Sequence, residues 1–177
     1  LDTLSTFDGI FLGCIGDAAK VPDDVSLTML LAIRIGFDQY INLRPIRLYP
    51  GVPTPVQTAT PETLDMVVVR ENTEGEYSRL GGFFKTGSPE AFALQTGVFT
   101  QKGCERVIRY AFELASTRSK LGTGDTVGRV TNCTKSNALN YSMVFWDRVF
   151  NEVAAEYPKV ETDMALVDAL TMWMIKN

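Results

Sequence analysis

The sequence predicts an α/β fold, and three of its features point to it. Apolar runs of strand length alternate along the chain with longer amphipathic segments of helical period. The run 66–69 is continuously apolar, which is typical of a strand covered on both faces. Segments 102–116 and 137–157 instead place their apolar residues three or four positions apart, on one helix face.

The composition fits a soluble globular protein and argues against several other classes of protein. Of the 177 residues, 45% are hydrophobic and 21% charged, and the net charge of −4 argues against binding to nucleic acid or to an anionic membrane. No apolar run approaches the roughly 18 residues of a membrane helix, and no signal peptide is recognisable. Three cysteines without a C-x-x-C pair suggest neither a disulfide framework nor a zinc site, so a reducing compartment, the cytoplasm, is expected.

The chain contains no histidine. Ser-His and Cys-His nucleophilic mechanisms are therefore excluded within it, as are metal sites with histidine ligands. Proton chemistry near neutral pH would have to use a carboxylate, a lysine, a tyrosine or a cysteine.

The first third of the chain alternates a strand, a helix and a strand. Residues 9–16 suggest a short buried strand closed by glycine, and residues 26–40 a helix. The side chains expected to cap this helix are Asp23, Asp24 and Ser26. A second strand is predicted over 41–49 with a break at Pro45, followed by a proline-rich loop over 50–55.

The middle of the chain is organised around the strand 66–69 and the polar residues that follow it. Beyond them, two short β-like runs, 81–85 and 93–99, predict a hairpin arm that would pack on another subunit. An amphipathic helix over 102–116 comes next, and then a connection over 119–128. That connection contains three glycines, but their spacing does not match a nucleotide-binding loop.

The last third predicts a strand ending before Lys135, a helix over 137–157, a strand over 160–167 and a helix over 169–176. In open α/β sheets, ligands lie beyond the carboxyl ends of the strands. The charged residues at these ends are therefore candidates for a site.

Several candidates follow from residue chemistry, and each has a simpler structural explanation. Arginine forks pair with carboxylates, so converging arginines would hold a di-anionic acid, or they would be ordinary surface residues. The arginines in question are Arg34, Arg44, Arg47 and Arg70. Lys135 is a base or a solvated lysine, and Tyr77 is a proton donor or a partly buried tyrosine. Asp168 is a ligand for a hard divalent ion or a helix N-cap.

Taken together, these motifs resemble one family. The motifs are KVPDDVSL from Lys20, GFDQYINLRPIRLYPGVPTP from Gly36, DMVVVRENTEGEYS from Asp65, TKSNA from Thr134 and VDALTM from Val167. In this order they resemble the metal-dependent decarboxylating 2-hydroxyacid dehydrogenases, which include the isocitrate and isopropylmalate dehydrogenases. The tartrate dehydrogenase/D-malate dehydrogenase branch is the most similar. The likeness extends over nearly the whole chain.

The resemblance implies a role for each matching residue. Arg34, Arg44 and Arg70 would bind the substrate's carboxylates, and Tyr77 would donate a proton in the later steps. Lys135 would take or relay the proton of the 2-hydroxyl.

The resemblance also implies binding partners. Asn137 would contact the nicotinamide side of the cofactor NAD, and Asp168 would be one ligand of Mn²⁺ or Mg²⁺. Two further metal aspartates and the adenosine-binding loop of the family are missing from this sequence, as is the family's amino-terminal strand. The chain is therefore expected to be a fragment.

The resemblance further implies a two-domain fold of the isopropylmalate dehydrogenase type. Residues 1–40 would be the tail of the first, cofactor-side domain, and residues 41–177 the second, substrate and dimerisation domain, with its arm at about 79–100. Active sites would be shared across a homodimer, with Lys135 and Asp168 reaching the partner's arginines and tyrosine. The alternative is an inactive or regulatory paralogue that keeps the interface, because a shared fold does not guarantee catalysis.

Overall fold

The computed structural model describes residues 1–17, 19–118 and 127–176, without the side chains of residues 23, 175 and 176. The chain forms two compact units, Leu1–Tyr40 and Ile41–Asn177. Their assignment to a cofactor-side and a substrate-side domain stays a prediction. Most of the connection expected at 119–128 lies outside the described residues.

The first unit contains a short 3-10 helix, Leu4–Thr6, and helix α1, Asp23–Gly36. The strand expected over 9–16 is wrong: the segment is exposed, including a fully exposed Phe11, and no strand pairs with it among the described residues. A strand needs a hydrogen-bonded neighbour, and an apolar run alone does not supply one.

Both predicted ends of α1 need correction. The N-cap position is Pro22, without a side-chain cap, so the predicted caps Asp23, Asp24 and Ser26 are wrong because the helix has already begun at Asp23. The helix ends at Gly36 rather than at residue 40, and Asp38 follows with a φ of 45°. That left-handed conformation cannot continue a right-handed helix.

The second unit begins with the antiparallel strands β1, Ile41–Arg47, and β2, Asp65–Glu71. β1 runs through Pro45 without the predicted break, with Pro45 opposite Val67. Since β1 pairs only with β2 in the part of the chain that is described, the proline's missing N–H can lie on the open edge. β2 is confirmed as a strand, but it is not covered on both faces, because Val68 is exposed.

The hairpin is confirmed, with β3, Gly75–Phe84, antiparallel to β4, Phe92–Val98, and its packing on another subunit stays a prediction. Large apolar side chains are exposed along it, namely Leu80, Phe83, Phe84, Phe92 and Leu94. Gly81 has a φ of 154°, and a Cβ there would lie 2.2 Å from the Leu94 carbonyl oxygen. Only glycine fits this close approach of the two strands.

The remaining elements are α2, Gln101–Thr117; β5, Arg129–Thr134; α3, Ser142–Ala154; β6, Glu161–Leu166; and α4, Val167–Lys176. β5 and β6 pair in parallel, as an α/β fold requires. The core lies between α2 and α3, where the Phe112 ring is 5.4 Å from that of Phe150 and 5.1 Å from that of Tyr157. No helix of the described residues is long and apolar enough to cross a membrane.

Several boundaries in this half differ from the sequence prediction. α3 ends at Ala154 rather than at residue 157, and α4 begins at Val167 rather than at residue 169. α3 begins at Ser142 rather than at residue 137, because the backbone first turns tightly and the amides of Ala138 and Leu139 donate to the Lys135 carbonyl. Asp168 lies in the first turn of α4 rather than at the end of a strand or at an N-cap.

A carboxylate at the start of β2 joins three elements. Asp65 accepts hydrogen bonds from Arg118, after the end of α2, at 2.7 Å, and from Arg47, at the end of β1, at 2.9 Å. Arg118 and Arg47 together lower the pKa of Asp65 from 3.8 to about 2. Arg47, an open candidate in the sequence, therefore has a structural role.

Acid should weaken the fold through Asp65. A carboxylate with a lowered pKa stabilises the folded state above its ordinary pKa of 3.8, and this contribution is lost as the pH falls toward 2. We expect Asp65→Asn to melt below the wild type at pH 5, with the difference shrinking toward pH 2. Thermal unfolding of the whole protein at pH 5, 4, 3 and 2 measures this, with the exposed Asp8→Asn as control. A difference in melting temperature that does not change with pH would contradict the expectation.

Candidate active site

Arg70 and Tyr77 face each other across the turn between β2 and β3. The Arg70 Nη2 donates to the Tyr77 hydroxyl oxygen at 2.7 Å, and its guanidinium carbon lies 5.1 Å from the Tyr77 ring centroid. Because the Tyr77 oxygen accepts from a cation, its own O–H proton is directed to another acceptor. The pair can therefore present a positive charge and a donatable proton side by side.

Two glutamates of the same polar stretch shape this turn. The Glu71 carboxylate accepts from the Thr73 amide at 3.0 Å, the Thr73 hydroxyl at 2.7 Å and the Glu74 amide at 2.8 Å. The Glu74 carboxylate accepts from the Thr100 amide at 3.0 Å and the Thr100 hydroxyl at 2.7 Å. A negative charge is favourable there because Thr100 is the N-cap of α2.

The turn is thereby fixed to the start of α2. A Cβ at Gly103 would lie 2.2 Å from the Glu74 carboxylate, so glycine makes room for this contact. Glu71 and Glu74 therefore support the turn, a role that depends on these contacts.

Arg44 lies on the same face of the β1–β2 ribbon as Arg70. In the antiparallel register, Asn42 is opposite Arg70 and Arg44 is opposite Val68, and residues two apart share a face. The Arg44 Nε donates to the Asn42 side-chain oxygen at 2.8 Å. Two of the three predicted carboxylate-binding arginines are thus on one surface.

Arg34 lies in the last turn of α1, in the first unit. Its participation as the third arginine stays a prediction.

Lys135 and Asp168 meet beyond the carboxyl ends of the parallel strands β5 and β6. The Lys135 Nζ donates to an Asp168 carboxylate oxygen, and this bond holds the pKa of Asp168 below its ordinary value. The Lys135 side chain is 33% exposed and that of Asp168 64%, so a ligand can reach both. Asn137 is exposed on the turn that follows Lys135, and its predicted cofactor role stays a prediction.

A pocket of about 350 Å³ adjoins Arg70 and Tyr77. Cys104 of α2 and Trp146 of α3 also line it. The Trp146 ring N–H donates to the side chain of the buried Asn132 at 2.7 Å.

That same Asn132 side chain donates to the Asp147 carboxylate at 2.8 Å. Trp146 is therefore held against β5, the strand that leads to Lys135. Cys104 is buried, and this burial raises the pKa of its thiol to about 11, as expected for a packing residue.

The candidate residues form two contact pairs. Arg70 donates to Tyr77, and Lys135 donates to Asp168. Each pair offers part of a site.

The metal ligands in the described residues are incomplete. Asp168 offers an ionised carboxylate, which suits Mn²⁺ or Mg²⁺, but no group of three histidine, cysteine or carboxylate side chains could hold an ion within the ranges described. A complete octahedral site would need further ligands from outside these residues.

Comparison with known proteins gives a consistent picture. The family described as Isocitrate/isopropylmalate dehydrogenase matches residues 1–177. The chain is 45% identical over 170 residues to an Escherichia coli K12 protein named D-malate dehydrogenase [decarboxylating], covering 96% of the chain and 45% of that protein. A 3-isopropylmalate dehydrogenase from Thermobifida fusca is 44% identical, with 98% of the chain and 47% of that protein covered. A probable tartrate dehydrogenase/decarboxylase from Agrobacterium vitis is 46% identical, again with 98% and 47% covered.

The solved structures agree. Isocitrate dehydrogenase from Methylococcus capsulatus superposes with a TM-score of 0.69 at 34% identity, over 82% of this chain and 39% of that one. The chain spans about half the length of the curated relatives that it matches.

Proposed function

The chain belongs to the isocitrate/isopropylmalate dehydrogenase family, and from this premise we propose that its whole protein oxidises a 2-hydroxy di-acid with NAD and decarboxylates the product. D-malate and tartrate are the proposed substrates. The observation that carries the proposal is the shared face of Arg44 and Arg70, with Tyr77 hydrogen bonded to Arg70. Two cations on one surface suit a di-anion, and a phenol beside them can deliver a proton.

Each residue would do one part of the reaction. Arg44 and Arg70 hold the carboxylates, with Arg34 proposed as the third clamp. Lys135 would take or relay the 2-hydroxyl proton, and NAD, when bound, would supply the hydride acceptor. The 2-oxo acid then loses its β-carboxylate as carbon dioxide, and Tyr77 gives its phenolic proton to the carbon that remains.

The cofactors are part of the same proposal. A bound Mn²⁺ or Mg²⁺ would acidify the hydroxyl and stabilise the enolate, with Asp168 as one ligand. Asn137 is the proposed contact to NAD.

A second copy of the chain is proposed to complete the site. Arg70 contacts Tyr77 and Lys135 contacts Asp168 as two pairs, and the arm exposes Leu80, Phe83 and Leu94. Exposed apolar surface of this kind marks protein interfaces. A homodimer in which the arms meet would let one subunit's Lys135 and Asp168 face the other's arginines. The free thiols of Cys14, Cys104 and Cys133 support the cytoplasm as the proposed compartment.

The rival proposal is an inactive or regulatory subunit that keeps the fold. The pairing of Lys135 with Asp168 and of Arg70 with Tyr77 favours the enzyme, since packing alone does not require these half-exposed groups to meet.

The test is NADH formation by the whole protein. D-malate, tartrate, isopropylmalate and isocitrate are offered with NAD, with and without Mn²⁺. We expect D-malate or tartrate to give the highest kcat/KM, and chelation of the metal to abolish it. A preference for isopropylmalate or isocitrate would contradict the proposed substrates. If none of the four acids gave NADH, the inactive subunit would be favoured.

A further inference from the structure

Asn42 lies between the two arginines of the candidate site and has no role assigned so far. It sits on β1 directly opposite Arg70, and its side-chain oxygen accepts from the Arg44 Nε at 2.8 Å. Directly opposed residues of antiparallel strands have Cβ atoms about 4.5–5.5 Å apart. The Asn42 side chain is thus bonded to Arg44 and adjacent to Arg70.

The bond to Asn42 restrains how Arg44 presents its charge. A guanidinium has five N–H donors in a fixed plane, and a bond at Nε orients that plane while using one donor. The Nη edge, which matches a carboxylate in a two-pronged contact, is not used by Asn42. Arg70 is restrained differently, through the Tyr77 hydroxyl.

The neutrality of Asn42 distinguishes Arg44 from its neighbour on the same strand. Arg47 pairs with the Asp65 carboxylate, which compensates its charge and fits a structural role. Arg44 is held by an amide, which orients the guanidinium without neutralising it. An aspartate at residue 42 would hold Arg44 equally well but would compete with the substrate's own carboxylate.

We propose that Asn42 is a positioning residue for substrate binding, which orients Arg44 beside Arg70 and leaves its positive charge for a di-anionic acid. The inference rests on the proposed function, because it needs a di-acid as the ligand. Asn42 would act on substrate binding, which precedes the chemical step. Its loss should therefore change KM rather than kcat.

The experiment measures KM and kcat of the whole protein for its best di-acid. Asn42→Ala should raise KM about tenfold, the scale of a hydrogen bond to a charged group, and leave kcat within about twofold. Asn42→Asp should also raise KM, because the added carboxylate competes for Arg44. The exposed Asn151→Ala is the matched control and should change neither constant.

A double-mutant cycle separates positioning from a general structural effect. In an Arg44→Ala background, Asn42→Ala should raise KM no further. A general structural role would instead raise KM by the same factor in both backgrounds. With an active wild type, the inference would be overturned by an unchanged KM in Asn42→Ala or in Asn42→Asp. It would also be overturned if the KM effects of Asn42→Ala and Arg44→Ala were additive. A wild type that oxidises none of the acids would instead overturn the proposed function, and the inference with it.

Discussion

Replacing Lys135 by alanine is expected to lower kcat about 10²–10⁴-fold, the usual contribution of a positioned acid or base. Lys135 lies at the carboxyl end of β5, with its Nζ on the Asp168 carboxylate and its side chain 33% exposed. The Lys135 Nζ can therefore exchange a proton with a ligand bound at this end of β5. Steady-state NADH formation by the whole protein measures the effect.

The controls for this experiment separate chemistry from folding. The exposed Lys159→Ala should leave kcat unchanged. Lys135→Ala should unfold close to the wild-type temperature, because a half-exposed ion pair contributes little to stability. A Lys135→Ala variant with wild-type kcat would remove Lys135 from the mechanism.

The positions of the candidate residues in the fold follow from the sequence more directly than the structure of the first unit does. Arg70 and Tyr77 are seven residues apart along the chain, and Lys135 and Asp168 follow neighbouring parallel strands. Local spacing and the rule that parallel strands end at one edge are enough to bring these pairs together. The family resemblance is confirmed by a match over residues 1–177, and the α/β fold by the structure.

The features that could not be predicted from the sequence depend on contacts between distant residues or on backbone pairing. Glu74 binds Thr100 across 26 positions, and no local pattern announces that contact. The apolar run 9–16 looks like a strand, but strand formation depends on a neighbour that the first unit does not provide in its described residues. Asn42 could have been noticed, because it lies two residues before Arg44 on one strand face.

The proposed sharing of the site between two subunits can be tested by mixing two variants. If a second copy completes the site, a subunit that lacks Lys135 still carries Tyr77. A subunit that lacks Tyr77 still carries Lys135. Mixed dimers of the two variants would then recover part of the lost activity, which neither homodimer could show. Recovery on mixing would support the proposed shared site.

Replacing Tyr77 by phenylalanine is the second change expected to have a large effect. The substitution removes the phenolic proton and the oxygen that accepts from Arg70 at 2.7 Å, while the ring remains to fill its place. Protonation of the decarboxylated product should slow, and kcat should fall about 10²–10⁴-fold. Since hydride transfer precedes that step, the first turnover of NADH should persist as a burst before a slow steady state.

Rapid-mixing measurement of NADH distinguishes this role from a purely structural one. A loss of Arg70 positioning alone would raise KM and leave no burst followed by a slow phase. The 92% exposed Tyr141→Phe is the matched control and should behave as the wild type. Tyr77→Phe with an unchanged steady-state rate would show that the proton comes from elsewhere, and Arg70 would then be the only one of the pair left with a role in the reaction.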